Sequence, residues 1–141
     1  MLTAEAVHLT TLSDSYGAPL AEYYFLPTNA ILYIRWHGHL TAAAIIRGVT
    51  AAMQQIEEHP FRHVLNDKRD TGGDWSEALP WLQYEWRPLA VAAGIRAIAY
   101  ILSPDFNAQL VSSEFVEAMY GQINVSLFVS ETEAIRWLQK Q

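Results

Sequence analysis

The chain has 141 residues, 51% of them hydrophobic and 17% charged, and carries a net charge of −6. That length fits one domain, residues 1–141, with a core of its own, and the high apolar content implies some apolar surface covered by a partner. The absence of cysteine excludes disulfides, thiol catalysis and cysteine-based zinc sites, and the nine scattered Lys and Arg offer no basic stripe to nucleic acid.

The start, "MLTAEAVHLT", lacks the basic and long apolar regions of a signal peptide. No apolar run approaches the ~20 residues needed to span a bilayer, so a cytoplasmic protein without a transmembrane segment is expected. "AVHLTTL" (6–12) reads as a first strand and "SDSYGAP" (13–19) as a turn. "AEYYFLP" (21–27) and "AILYIRWHG" (30–38) are rich in aromatic and β-branched residues, with "TN" between them as a hairpin turn. "TAAAIIRGVTAAMQQIEEHP" (41–60) predicts a helix capped by Thr41 and stopped by Pro60, with Ile45, Val49, Ala52, Met53 and Ile56 on one stripe.

"FRHVLND" (61–67) reads as a short buried strand, followed by a polar loop, "KRDTGGDW". A helix is predicted over 76–94, with Leu79, Leu82, Trp86, Leu89 and Ala93 inward and a kink or break at Pro88. Gly94 suits its C-terminal cap, and "IRAIAYIL" (95–102) is the clearest central strand. A helix over roughly 106–120, with Leu110, Phe115, Ala118 and Met119 inward, precedes a strand at 124–130. Ser130 and Glu133 form a capping box for a last helix carrying Ala134, Trp137 and Leu138. The order β-β-β-α-β-α-β-α-β-α predicts an α/β fold: a mainly parallel central sheet, an antiparallel N-terminal hairpin at one edge, and helices packed on it.

"WHGHLT" (36–41), "VLNDKR" (64–69), "WRPLAVAAGIRAIAYI" (86–101) and "LFVSETEAIRWL" (127–138), in that order, resemble the STAS-like superfamily, small α/β domains related to bacterial anti-sigma-factor antagonists. The chain is most similar to a group of short bacterial STAS/SEC14-like proteins, and the resemblance covers most of residues 20–140. It implies a sheet covered by helices and says little about reaction chemistry. In regulatory members of the superfamily a phosphorylatable serine sits at a helix N-terminus after the corresponding strand. Ser76 is the nearest serine here, but an Asp-Ser-Ser-Gly type motif is replaced by Asp74-Trp75-Ser76-Glu77.

The polar stretch 66–77 has two readings. Gly72 and Gly73, Lys68 and Arg69, and a following helix start have the makings of a phosphate cradle. Yet no nucleotide-loop motif is present, and Asp67, Asp70, Asp74 and Glu77 would repel a phosphate. A glycine turn with Asp74 as N-cap and Glu77 closing a capping box is preferred. Asp67 and Arg69 sit at the carboxyl end of a strand, where open α/β sheets bind things, so Asp67, Arg69, Asp74 and Ser76 form a candidate binding loop. His37 and His39, at i and i+2, would share a strand face, but they lack a third metal ligand that spacing can place; no metal or cofactor is expected. No nucleophile elbow or Ser-His-Asp grouping can be read, and no catalytic residue is assigned.

Trp81, Tyr84 and Pro88 line a second face of the 76–94 helix, which makes them a candidate interface. These features predict a non-enzymatic regulatory or scaffolding protein that binds a protein partner, as a homodimer. The alternatives are a carrier of a small apolar or lipid-like ligand, which a deep cavity beside Trp86 and Leu89 would favour, and a hydrolase using Asp67 or His37.

Overall fold

The computed structural model describes residues 5–141. Six strands form one mixed sheet in the order β1-β2-β3-β4-β5-β6. β1 (Val7–Ser13), β2 (Pro19–Leu26) and β3 (Ile31–His39) pair antiparallel, while β3, β4 (His63–Gly72), β5 (Ala97–Ile101) and β6 (Asn124–Phe128) pair parallel. This is the predicted α/β layout, with the hairpin strands at one edge.

Between the parallel strands run α1 (Ala42–Gln54), a composite helix over 76–93, and α4 (Phe106–Met119); α5 (Glu131–Gln139) closes the chain. One sheet face, carrying Leu32, Ile34, Trp36, Val64, Ile98 and Tyr100, packs against α1, the composite helix and α4. The opposite face, carrying Ile31, Tyr33, Leu65, Ala97, Ala99 and Ile101, packs against Ala134 and Leu138 of α5.

Side chains cap three helices, at Thr41 and Ser130 as the sequence predicts and also at Asp105. Thr41 accepts from Ala44 N–H at 3.1 Å, Asp105 from Asn107 N–H at 3.2 Å, and Ser130 from Glu133 N–H at 3.3 Å. Gly94 ends the composite helix in the left-handed region, at φ 97°. At Gly48 the backbone of α1 comes so close to Trp36 that a Cβ there would overlap the indole ring. The buried Tyr23 hydroxyl donates to Gly48 O at 2.7 Å, tying β2 to the same turn of α1.

Two elements depart from the expected shape. β4 does not end at Asp67 but continues to Gly72, because its far half pairs with β3 through His37–Asp70, Gly38–Thr71 and His39–Gly72 after β5 has ended. Arg35 pairs with Asp67 and His37 with Asp70, so Lys68 and Arg69 together oppose Trp36: a one-residue bulge.

The composite helix is not broken at Pro88. It runs as a 3-10 turn (Ser76–Ala78), α2 (Leu79–Trp81), a π-helical turn (Leu82–Trp86) and α3 (Arg87–Ala93). Pro88 enters at the start of α3, just after the wide turn, in which Arg87 N–H bonds Leu82 O. The wide turn admits one extra residue and rotates the later part of the helix about its axis. Buried positions are therefore Ala78, Leu82, Trp86 and Ala90, whereas Leu89, expected inward, is 65% exposed. Leu110 of α4 also faces out, at 48% exposure; the buried stripe there is Ala108, Val111, Ser112, Phe115 and Met119.

Candidate functional site

The polar stretch read as a loop is mostly strand, and the pleat divides its charges between the two faces of the sheet. Asp67 is fully buried on the α5 face. It accepts from the Tyr33 hydroxyl at 2.6 Å and from Arg69 Nε and Nη2 at 2.9 and 2.6 Å. Arg69 Nη2 also donates to Glu131 Oε1 at 2.7 Å, which clasps the first turn of α5 to β4. Alongside, Arg35 Nε donates to Asp70 Oδ2 at 3.0 Å. Tyr33 is pushed above its ordinary value by burial and then by the Asp67 hydrogen bond, and Asp70 is held below its own by Arg35. Asp67 and Arg69 thus meet each other, as their spacing allowed, in a network on strand β4 that braces β3, β4 and α5, with Asp67 buried and Arg69 part-exposed.

The rest of the candidate loop turns the chain. Gly73 adopts φ 102°, and its N–H donates to Asp105 Oδ2 at 2.8 Å, so it is not free to cradle an anion. Asp74 is exposed and accepts from Ser76 N–H at 2.9 Å. The 3-10 turn begins at Ser76 with Trp75 as its cap residue, so Asp74 makes a local turn bond in place of the predicted capping box with Glu77. The Ser76 side chain and N–H hold the Asp74 carboxyl below its ordinary value. Asp74 and Ser76 therefore lie together, away from the Asp67–Arg69 network.

His37 Nε2 lies 2.7 Å from Glu22 Oε2. Gly38, at φ 80°, interrupts the pleat before His39, whose ring packs instead beside Gly73. Among the described residues, no group of three His, Asp or Glu is placed to hold a metal. Of the predicted aromatic face, Tyr84 is 70% exposed and Pro88 is exposed, while Trp81 is half-buried against the core.

The feature that sequence reasoning missed is the burial of Lys68, which it read as a charge for a phosphate cradle. Lys68 leaves β4 on the opposite side from Asp67, beneath the helices, and is 2% exposed. Its Nζ lies 3.7 Å from the Trp75 ring centroid, 4.8 Å from Tyr100 and 5.4 Å from Trp36. No ion pair to Lys68 occurs among the described residues. Burial draws the amine well below its ordinary value, and burial likewise pushes the neighbouring Tyr100 hydroxyl up. Three aromatic faces favour the charged amine, by up to ~2 kcal/mol for a desolvated pair, but an unpaired ammonium in an apolar core costs more.

Lys68 borders a cavity of about 40 Å³ between the sheet, α1 and the composite helix. Asn66, Trp36, Tyr100, Trp86 and Met53 share its wall. Trp36 Nε1 donates to Asn66 Oδ1, whereas the buried Trp86 Nε1 has no partner among the described residues. A signal for this site did exist: Val64, Asn66 and Lys68 alternate along one strand face. Ending the strand at Asp67 hid it.

An α/β sheet of this order, with an N-terminal hairpin and helices between its parallel strands, is of the STAS-like class. The SpoIIAA-like family model matches residues 31–139, and the chain belongs to that family. A comparison with curated proteins returns no match. No helix among the described residues is long and apolar enough to cross a membrane.

Proposed function

We propose that this chain is a non-enzymatic regulatory or scaffolding protein that acts by protein–protein binding, as a homodimer, through the outer side of the composite helix and α4. Family membership supports a binding role. The observation that carries the surface is the set of large apolar side chains turned outward on two neighbouring helices: Tyr84 at 70%, Leu89 at 65% and Phe106 at 69% exposure. Aromatic residues of this kind are favoured at interface cores, and two-fold dimers are the commonest assembly. Asp74 and Ser76, at the start of the same helix, add a polar rim. Sedimentation equilibrium at micromolar concentration tests the proposal. A dimer that weakens at least tenfold in a Tyr84→Ser, Leu89→Ser double variant is expected; a monomer throughout that range overturns it.

A second reading, the binding of a small ligand, is favoured by the cavity beside Trp86 and Lys68. At about 40 Å³ it has room for a few heavy atoms and not for a lipid chain. Hydrolysis through Asp67 gains no support, because both of its carboxylate oxygens are already bonded.

A further inference from the structure

We propose that Lys68 is a covalent capture site for a small aldehyde or ketone that enters the cavity beneath the composite helix. This site is separate from the helix surface assigned to protein binding and does not depend on it. Three observations converge. The amine of Lys68 borders an internal cavity whose walls are otherwise almost entirely aromatic and aliphatic. No carboxylate pairs with it among the described residues, since the nearest in sequence, Asp67, points through to the other face of the sheet. Trp86 Nε1, without a partner among the described residues, belongs to the same wall and is a donor for a carbonyl or second oxygen of a ligand.

The surroundings supply what amine chemistry needs. Burial favours the unprotonated amine over the ammonium, and the unprotonated form is the nucleophile. The nitrogen adds to the carbonyl carbon, and the resulting carbinolamine loses water. A C=N bond replaces the C=O bond, and the oxygen departs as water with both amine hydrogens, with no oxidant or reductant required. The cavity volume restricts the carbonyl compound to a few heavy atoms. Entry is placed between α1 and the composite helix, where the lining residues Val49 and Met53 are only half-buried. Met53 is unbranched and yields readily, and the π-helical turn that contributes Leu82 and Trp86 is of a kind frequent at functional sites.

The chain carries only two lysines, Lys68 and Lys140, so the test is internally controlled. Folded protein is incubated at pH 7 with acetaldehyde or glycolaldehyde and cyanoborohydride, which reduces any imine to a stable secondary amine, and peptides are mapped by mass. Modification of Lys68 about tenfold or more faster than of Lys140 is expected, since an ordinary lysine is almost wholly protonated at that pH. A Lys68→Met variant with an unchanged circular dichroism spectrum should then be modified only at Lys140 and the N-terminal amine. Labelling of wild-type protein that is absent, or confined to Lys140 and the N-terminus until urea unfolds the chain, overturns the proposal. Neither result bears on the sedimentation experiment.

Discussion

Asp67 and Lys68 are consecutive, an acid beside a base and both buried, and they point away from each other through the sheet. Neither neutralises the other. Asp67 is satisfied by Tyr33 and Arg69 on the α5 face, whereas Lys68 meets aromatic rings on the other and no ion-pair partner among the described residues. Adjacent ionisable groups thus have opposite energetic meaning: one holds the fold together and the other is a cost that the fold carries.

Removing the Asp67 charge should be damaging. Asp67→Asn removes the charge opposite Arg69 and puts an NH2 donor where one of two buried acceptor oxygens now stands, and it is expected to destabilise the protein by about 3 kcal/mol. Asp70→Asn breaks only a part-exposed pair with Arg35 and should cost less than about 1 kcal/mol. Urea unfolding of the two variants, compared at equal m-value, checks the contrast.

Replacing Lys68 should do the reverse. Met is of similar length and needs no hydration, so Lys68→Met is expected to stabilise the protein at pH 7 by about 1 to 3 kcal/mol. The sign with pH comes from linkage. A lysine whose value is lowered on folding binds fewer protons in the folded state than in the unfolded one. Wild-type stability therefore rises with pH between that lowered value and the ordinary 10.5, by up to ~1.4 kcal/mol per pH unit. Tyr33 and Tyr100, raised by burial, reverse the trend above their ordinary 10.0. Denaturation across pH 6 to about 10 should show the slope in the wild type and its loss in Lys68→Met.

The wide turn makes a prediction that a regular helix would not. With Leu89 turned outward, Leu89→Ala should change stability by less than about 0.5 kcal/mol. The buried Leu82→Ala should cost about 2 to 4 kcal/mol. Similar losses at both positions in thermal melts would contradict the π-helical phase shift.

At Gly48 two effects oppose. Alanine is the better helix former by ~1 kcal/mol, but its Cβ would overlap the buried Trp36 indole. Overpacking prevails, and Gly48→Ala is expected to destabilise by roughly 1 to 3 kcal/mol in chemical denaturation.

The order of elements was legible because hydrophobic period and turn chemistry agree with each other along most of the chain. Three caps at Thr41, Ser130 and Gly94 were legible for the same local reason. What could not be read depended on partners distant in sequence. β4 extends past Asp67 because β3 is there to pair with it, and that pairing also sends Lys68 under the helices. Leu89 and Ala90 exchange places because a wide turn precedes them, which no regular period encodes. The Asp67–Arg69 contact was visible as spacing, but its inward direction required knowing that α5 lies across it.

The surplus residue in β4 has a further consequence. A regular strand cannot show two consecutive side chains on one surface, yet Arg69 and Asp70 both join the network on the α5 face. Because the bulge absorbs one residue, it is also the point at which this strand can change length without losing its pairing. A chain shortened by Arg69 alone would keep His37 opposite its present partner, and would give up the clasp to the final helix together with the guanidinium that satisfies Asp67.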